Sequence, residues 1–168
     1  GNTSKGSASN LTLFLEKPWK NNWNARFSYT FSTAEDVSPA TSSVAFSNWN
    51  GRFVYNPNEE TLGRSNYEIR DRFSANVSYR MNWFKNAPTT VSLYWEGRTG
   101  RPYSYAFAND ANGDGQSNDL FYIPASITDV AFTAGSSASD RAAFWSYVTN
   151  DNYLNSHLGE VAERNGAR

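Results

Sequence analysis

Alternation between apolar and polar positions returns four times along this chain. From Trp23 the odd positions read Trp23, Ala25, Phe27, Tyr29 and Phe31, and the intervening ones Asn24, Arg26, Ser28, Thr30 and Ser32. Successive side chains of an extended strand point to opposite faces, so a period of two predicts a strand with one apolar and one polar face. Phe73, Ala75, Val77, Tyr79 and Met81 against Arg72, Ser74, Asn76, Ser78 and Arg80 repeat the pattern. So do Val91, Leu93 and Trp95 against Thr90, Ser92, Tyr94 and Glu96. Leu11, Leu13 and Leu15 against Thr12 and Glu16 form a shorter copy, with Phe14 as its exception. The spacing predicts strands near 10–17, 23–34, 67–83 and 89–98.

The connections are uneven. Those through Pro18, Trp19, Lys20, Asn21 and Asn22, and through Phe84, Lys85, Asn86, Ala87 and Pro88, are tight. Residues 35–66 and 100–168 are long, and the first of them is rich in Ser, Asn, Pro and Gly. Short turns on the periplasmic side and long loops on the extracellular side are the arrangement of outer-membrane barrels. Trp23 to Thr33 and Phe73 to Trp83 are runs of equal length, each met on the long-loop side by an acid, Glu35 or Asp71. A charge on a lipid-facing position costs ~2–4 kcal/mol at the midplane and little at the interfaces, so these acids stand where they are tolerated. Trp19, Trp23, Trp83 and Phe84 gather at the tight-turn end, where an aromatic girdle is expected.

The expected fold is therefore all-β: an antiparallel transmembrane β-barrel segment of about four strands, with 1–168 read as part of a single barrel. The rival is a soluble antiparallel sheet with one face on a core, which shows the same alternation. Barrels of this kind begin at about eight strands, so the expectation is an open wall of something longer. A start without Met agrees with that expectation.

Composition sharpens this only in places. Aromatic residues reach 16% while charged residues are 18%, and the formal net charge is −1, so no electrostatic case for nucleic acid exists. There are no cysteines, which excludes a disulfide framework and a thiolate metal site. No run approaches the ~20 apolar residues of a membrane helix, and no signal peptide is visible. A barrel strand needs only ~9–11 residues and shows lipid half of them, so the membrane stays open.

One loop looks like chemistry. Asp110, Asn112, Asp114 and Asn118 stand at positions 1, 3, 5 and 9 of an EF-hand-type calcium loop, with Gly115 at position 6. Phe121 occupies position 12, where the bidentate acid belongs, and Asp119 at position 10 replaces it only along a different loop path. The competing reading is a turn whose Asn and Asp side chains cap their own backbone. Asp110, Asn112, Asp114, Asn118 and Asp119 are thus the candidate metal ligands, calcium is the one candidate cofactor, and the expected affinity is weak. Ser139 followed by Asp140 reads as an N-capped short helix carrying Phe144, Tyr147 and Val148 on one face. His157 is the single histidine and has no partner base or nucleophile nearby in sequence, so it is assigned no role. No Ser-His-Asp order, Walker loop, GxGxxG or zinc spacing appears, and no enzymatic activity is expected.

Several stretches resemble one family. They are 11–17 (LTLFLEK), 28–31 (SYTF) leading into 34–37 (AEDV), 75–80 (ANVSYR), 90–105 (TVSLYWEGRTGRPYSY), 112–115 (NGDG), 118–124 (NDLFYIP) and 159–165 (GEVAERN). The chain resembles the C-terminal part of the barrel of Oar-like TonB-dependent receptors of Gram-negative bacteria. The most specific portions are EGRxGxPYSY and the NGDG loop with its NDLFYIP tail. The resemblance implies a barrel of about 22 strands that holds a plug, is energised by TonB and imports a scarce ligand across the cell outer membrane. Outer-membrane lipid, the TonB complex acting through a plug elsewhere in the protein, and an unidentified ligand are the implied partners. The chain shows no plug, TonB box or N-terminal domain of that family, so transport is expected of a larger parent. The resemblance also implies that Arg26, Ser28, Thr30, Arg72, Asn76, Arg80 and Glu96 line a lumen. The alternative function is a soluble all-β binding module, with calcium-dependent carbohydrate binding through exposed Trp and Tyr.

Overall fold

A computed structural model describes residues 3–84 and 86–168. Lys85, which belongs to the expected second tight turn, lies outside the described residues. Four long antiparallel strands dominate: β1 (Ser7–Lys20), β2 (Trp23–Asp36), β4 (Asp71–Phe84) and β5 (Ala87–Arg98), with a two-residue β3 (Gly63–Arg64) paired to the end of β2. The sheet order is β1-β2-β4-β5, and the sheet is not closed into a barrel. The strands occupy the alternating segments and mostly exceed them. β1 begins at Ser7 and continues through Pro18, which an edge strand tolerates because its outward N–H has no ladder partner to serve. β4 starts later than the alternation suggests, at Asp71.

Register follows the alternation. Trp23, Ala25, Phe27 and Tyr29 stand opposite Tyr79, Val77, Ala75 and Phe73, and these in turn stand opposite Val91, Leu93, Trp95 and Gly97. A slip of one residue would exchange the two faces of a strand, so this pairing keeps all the aromatic and aliphatic positions together. β1 and β2 are joined by Asn21 and Asn22 alone, with φ of 57° and 64°. Left-handed backbone at both central residues is what a type I′ hairpin turn requires, and Asn tolerates it better than other side-chain-bearing residues.

The chain divides into two compact units. One is the sheet, Ser7–Ala34 with Tyr67–Arg101. The other gathers Gly1–Gly6, Glu35–Asn66 and Pro102–Arg168, the segments that precede β1, join β2 to β4 and follow β5. This loop unit contains α1 (Ala45–Asn50), α2 (Ala138–Asn150) and α3 (Asn152–Ser156), and its own apolar cluster of Ile123, Val148, Leu154 and Ala162. Tyr105, Phe121, Phe144, Trp145, Tyr153 and Leu158 pack around that cluster.

α2 corrects an expectation. Its N-cap is Ser137, not Ser139: Ser137 Oγ accepts from Asp140 N at 3.2 Å and Asp140 Oδ2 accepts from Ser137 N at 2.9 Å. This reciprocal box needs the acid three residues after the cap, which Ser139 lacks. The buried face of α2 is Phe144, Trp145 and Val148, while Tyr147 is exposed.

Candidate functional site

The sheet offers two chemically opposite surfaces. On the polar one, hydroxyls pair from strand to strand: Thr12 with Thr30 at 3.0 Å, Ser28 with Ser74 at 2.7 Å, and Ser78 with Ser92 at 2.9 Å. Charges pair on the same face, Arg72 with Glu96 at 3.2 Å and Arg26 with Glu16 at 3.6 Å, and Tyr94 donates to Glu96 at 2.7 Å. The structure thus brings Arg26, Ser28, Thr30, Arg72, Asn76 and Glu96 onto one surface. Arg80 belongs to the same parity, but its guanidinium lies 5.1 Å from the ring of Trp19. Phe14 stands among the polar residues with Arg26 at 6.0 Å from its ring, and both border a concavity of about 550 Å³ with Ser28, Ser74, Asn76 and Tyr94.

The apolar surface is uncovered. Leu13 is 61% exposed, Leu93 70% and Trp95 53%. Side chains on it pack on one another, as where the Phe73 ring meets the Trp95 ring edge-on at 5.0 Å. The Trp95 indole also folds across Gly97, where an added Cβ would lie 3.0 Å from the ring, so the indole shields a backbone position that lacks a side chain. Ala25 is the exception on this face, buried at 5% among exposed neighbours.

The candidate calcium loop has a different internal logic. Asp110 Oδ1 accepts from the N–H groups of Gly113 at 2.6 Å and Asp114 at 3.1 Å, and its Oδ2 accepts from Gly115 N at 2.8 Å. Asn112 Oδ1 accepts from Asp114 N, Asp114 Oδ1 from Gln116 N, and Asp119 Oδ2 from Ala111 N at 2.6 Å. Asn118 is turned to the carbonyls of Asn50 and Arg52. Five oxygens of this set cap backbone donors, as in the turn alternative named above, while Asn118 Oδ1 and Asp119 Oδ1 are buried without a hydrogen-bond partner among the described residues. Among the described residues no group of three or more His, Asp or Glu side chains is placed to hold a metal ion. His157 stacks on Tyr153 at 4.3 Å and its Nδ1 lies 2.8 Å from the Tyr153 carbonyl, a local packing role.

Sequence reasoning missed the contacts that organise the loop unit. The buried Arg164 guanidinium pairs with Asp36 Oδ1 at 2.9 Å and donates to the carbonyls of Asp36 and Gly63. Gly63 is required by that approach, because an added Cβ would stand 2.9 Å from Arg164 Nε. Arg64 donates to the carbonyls of Asn165 and Gly166, and Asn165 Nδ2 returns a bond to the Arg64 carbonyl. Arg52, likewise buried, donates to the carbonyls of Val37, Pro57 and Glu59. Burial and the neighbouring Arg164 charge lower its pKa from the ordinary arginine value. Burial, aided by hydroxyl contacts to Tyr103 and Asp151, pushes the Tyr105 phenol well above the usual tyrosine range. Asp151 is held below the usual carboxylate range, chiefly by the Leu154 N–H it accepts.

No protein-family model, curated protein or solved structure matches this chain.

Proposed function

We propose that this chain is a stretch of barrel wall and extracellular loops in a TonB-dependent outer-membrane receptor of the Oar-like kind, which binds and imports a scarce ligand. The observation that carries the proposal is a sheet with neither face on a core. A soluble sheet buries its apolar face, at ~25 cal/mol per Å² of apolar surface removed from water. Here Leu11, Leu13, Leu15, Phe27, Tyr29, Phe73, Val77, Val91, Leu93 and Trp95 all remain exposed. Lipid is the environment in which such a face is at rest, and the opposite face of paired hydroxyls and ion pairs suits a wet lumen. Strands of 14, 14, 14 and 12 residues exceed the ~9–11 that cross a bilayer. The edges β1 and β5 would then pair with further strands of the same barrel, and the loop unit would stand outside the cell as the ligand-facing part.

Sedimentation of the purified chain with and without detergent, followed by circular dichroism, tests the membrane half of this proposal. Aggregation in buffer with β signal in micelles is expected. A monomer in plain buffer that melts cooperatively would replace the barrel with the soluble binding module. Cross-linking of the whole protein to TonB in cells tests the receptor half.

A further inference from the structure

Resting on the lipid-facing reading of the sheet, we infer that the notch over Ala25 is a site for one anionic phospholipid, with an acyl chain against Leu15, Phe27 and Val77 and the phosphate drawn to Lys17. The notch comes from size. Ala25 is 5% exposed, while Trp23, Phe27, Val77 and Leu15 around it are 37%, 41%, 37% and 75% exposed. A methyl group ringed by large side chains leaves a groove of about 350 Å³ lined by Leu15, Lys17, Trp23, Ala25, Phe27 and Val77, with Glu16 at its border. That volume lies within the ~300–1,000 Å³ of small-molecule clefts.

Charge selects the occupant. Lys17 interrupts the apolar parity of β1, and its ammonium is fixed at the turn end of the groove. Nζ donates to the carbonyls of Lys20 and Trp23 at 2.9 Å each and of Pro18 at 3.4 Å, and it lies 3.8 Å over the Trp23 ring. These carbonyls orient the ammonium without neutralising it. Glu16, the nearest acid in the lining, faces Arg26 at 3.6 Å instead. The groove therefore ends in a positive charge clamped on an indole, next to the Lys20 that closes β1. An acyl chain with a headgroup phosphate one strand-end away matches both parts, and an anionic lipid is drawn more strongly than a zwitterionic one, whose own ammonium offsets the phosphate charge.

The test uses the protein encoded by the complete gene, reconstituted in equal parts phosphatidylglycerol and phosphatidylethanolamine, stripped of bulk lipid in detergent and read by native mass spectrometry. Phosphatidylglycerol is expected to be retained about fivefold over phosphatidylethanolamine, the preference that one surface cation provides. Lys17→Gln should bring the ratio close to one. Ala25→Phe, which fills the notch, should abolish retention, while Leu11→Ala, four residues along β1 from Leu15, should change neither. Heat-modifiable gel migration identifies the variants that fold. Equal retention of both lipids by the unaltered protein, or retention by a folded Ala25→Phe variant, overturns the site. Quenching of Trp95 by chain-brominated lipid separates the two levels. Quenching without lipid preference removes the site and keeps the barrel reading, whereas absence of quenching removes both.

Discussion

Set the sheet beside the loop unit and the usual expectation inverts. The sheet, with its aligned register and long strands, contributes Ala25 alone to the buried apolar residues described, whereas the loop unit contributes Val37, Val54, Leu120, Ile123, Val148, Leu154, Ala162 and Ala167. Hydrogen bonding is divided differently as well. The sheet satisfies its backbone through ladders that need no side chains. The loop unit also relies on buried side chains, Arg52, Arg164 and Asn118, that donate to backbone carbonyls. The sheet leaves its apolar face without a core of its own, while the loop unit builds one from its own segments.

The strongest way to break this contrast is at the Arg164–Asp36 pair. Replacing Asp36 with Asn leaves the Arg164 guanidinium, whose side chain is 2% exposed, without its carboxylate. Stranding a buried charge of this kind costs about 3–5 kcal/mol. Hydrogen exchange is expected to rise across 159–167 and 63–66 and to stay unchanged in β4 and β5. Equal loss of protection in both regions would mean that the two units do not differ in what holds them.

Leu154→Ala comes next. Leu154 is fully buried, and such truncations cost ~2–5 kcal/mol depending on how far the site collapses. Limited proteolysis should nick residues 102–168 faster in this variant, in buffer and detergent alike, while Leu93→Ala leaves that pattern untouched. A response of Leu154→Ala confined to one of the two media would contradict a self-contained loop core.

The sheet was legible in the sequence because its determinants are local. A period of two, two acids at the strand ends and an Asn-Asn turn all act within a few residues of the positions they govern. The loop unit was largely illegible because its determinants are distant: Arg164 and Asp36 are 128 residues apart, and Arg64 and Asn165 are 101 apart. The cap of α2 was readable in principle, since Ser137 and Asp140 have the spacing of a capping box and Ser139 does not. The Asp110–Asp119 loop shows another limit. Oxygens at alternate positions around glycines serve an ion or the loop's own N–H groups equally well, so the sequence pattern by itself does not choose between them. The notch at Ala25 had a faint signal, one small residue inside an aromatic run, which carries meaning only once the flanks are known to be uncovered.

Leu93→Arg sharpens the contrast from the sheet side. Leu93 is 70% exposed, so in buffer an arginine there displaces no packing. In a bilayer the same side chain near the midplane costs ~2–4 kcal/mol. Urea unfolding of the protein in lipid vesicles should shift by that amount, with no change in the loop unit's own transition. An unshifted midpoint in vesicles would place Leu93 away from lipid.

The smallest effect is acid-dependent and belongs to the loop unit alone. Asp151 Oδ1 accepts from Leu154 N at 2.9 Å at the start of α3, and Oδ2 accepts from the Tyr105 hydroxyl at 2.8 Å. These bonds favour the carboxylate, so the folded pKa lies below the unfolded value of ~3.9. The sign follows from proton binding. Above pH ~4 the stabilisation is fully present, and it is lost as pH falls through the depressed folded pKa, because the unfolded chain takes up the proton first. Tyr105 acts at the opposite end: its raised pKa favours the folded state below pH ~10, and that contribution fades only in stronger alkali. Asp151→Ala should therefore cost ~1 kcal/mol at neutral pH, as caps do, and flatten the decline of the loop transition below pH ~4. Wild type and variant should converge in acid. A difference that persisted at the lowest pH would assign the loss to packing around Leu154 instead of to the carboxylate.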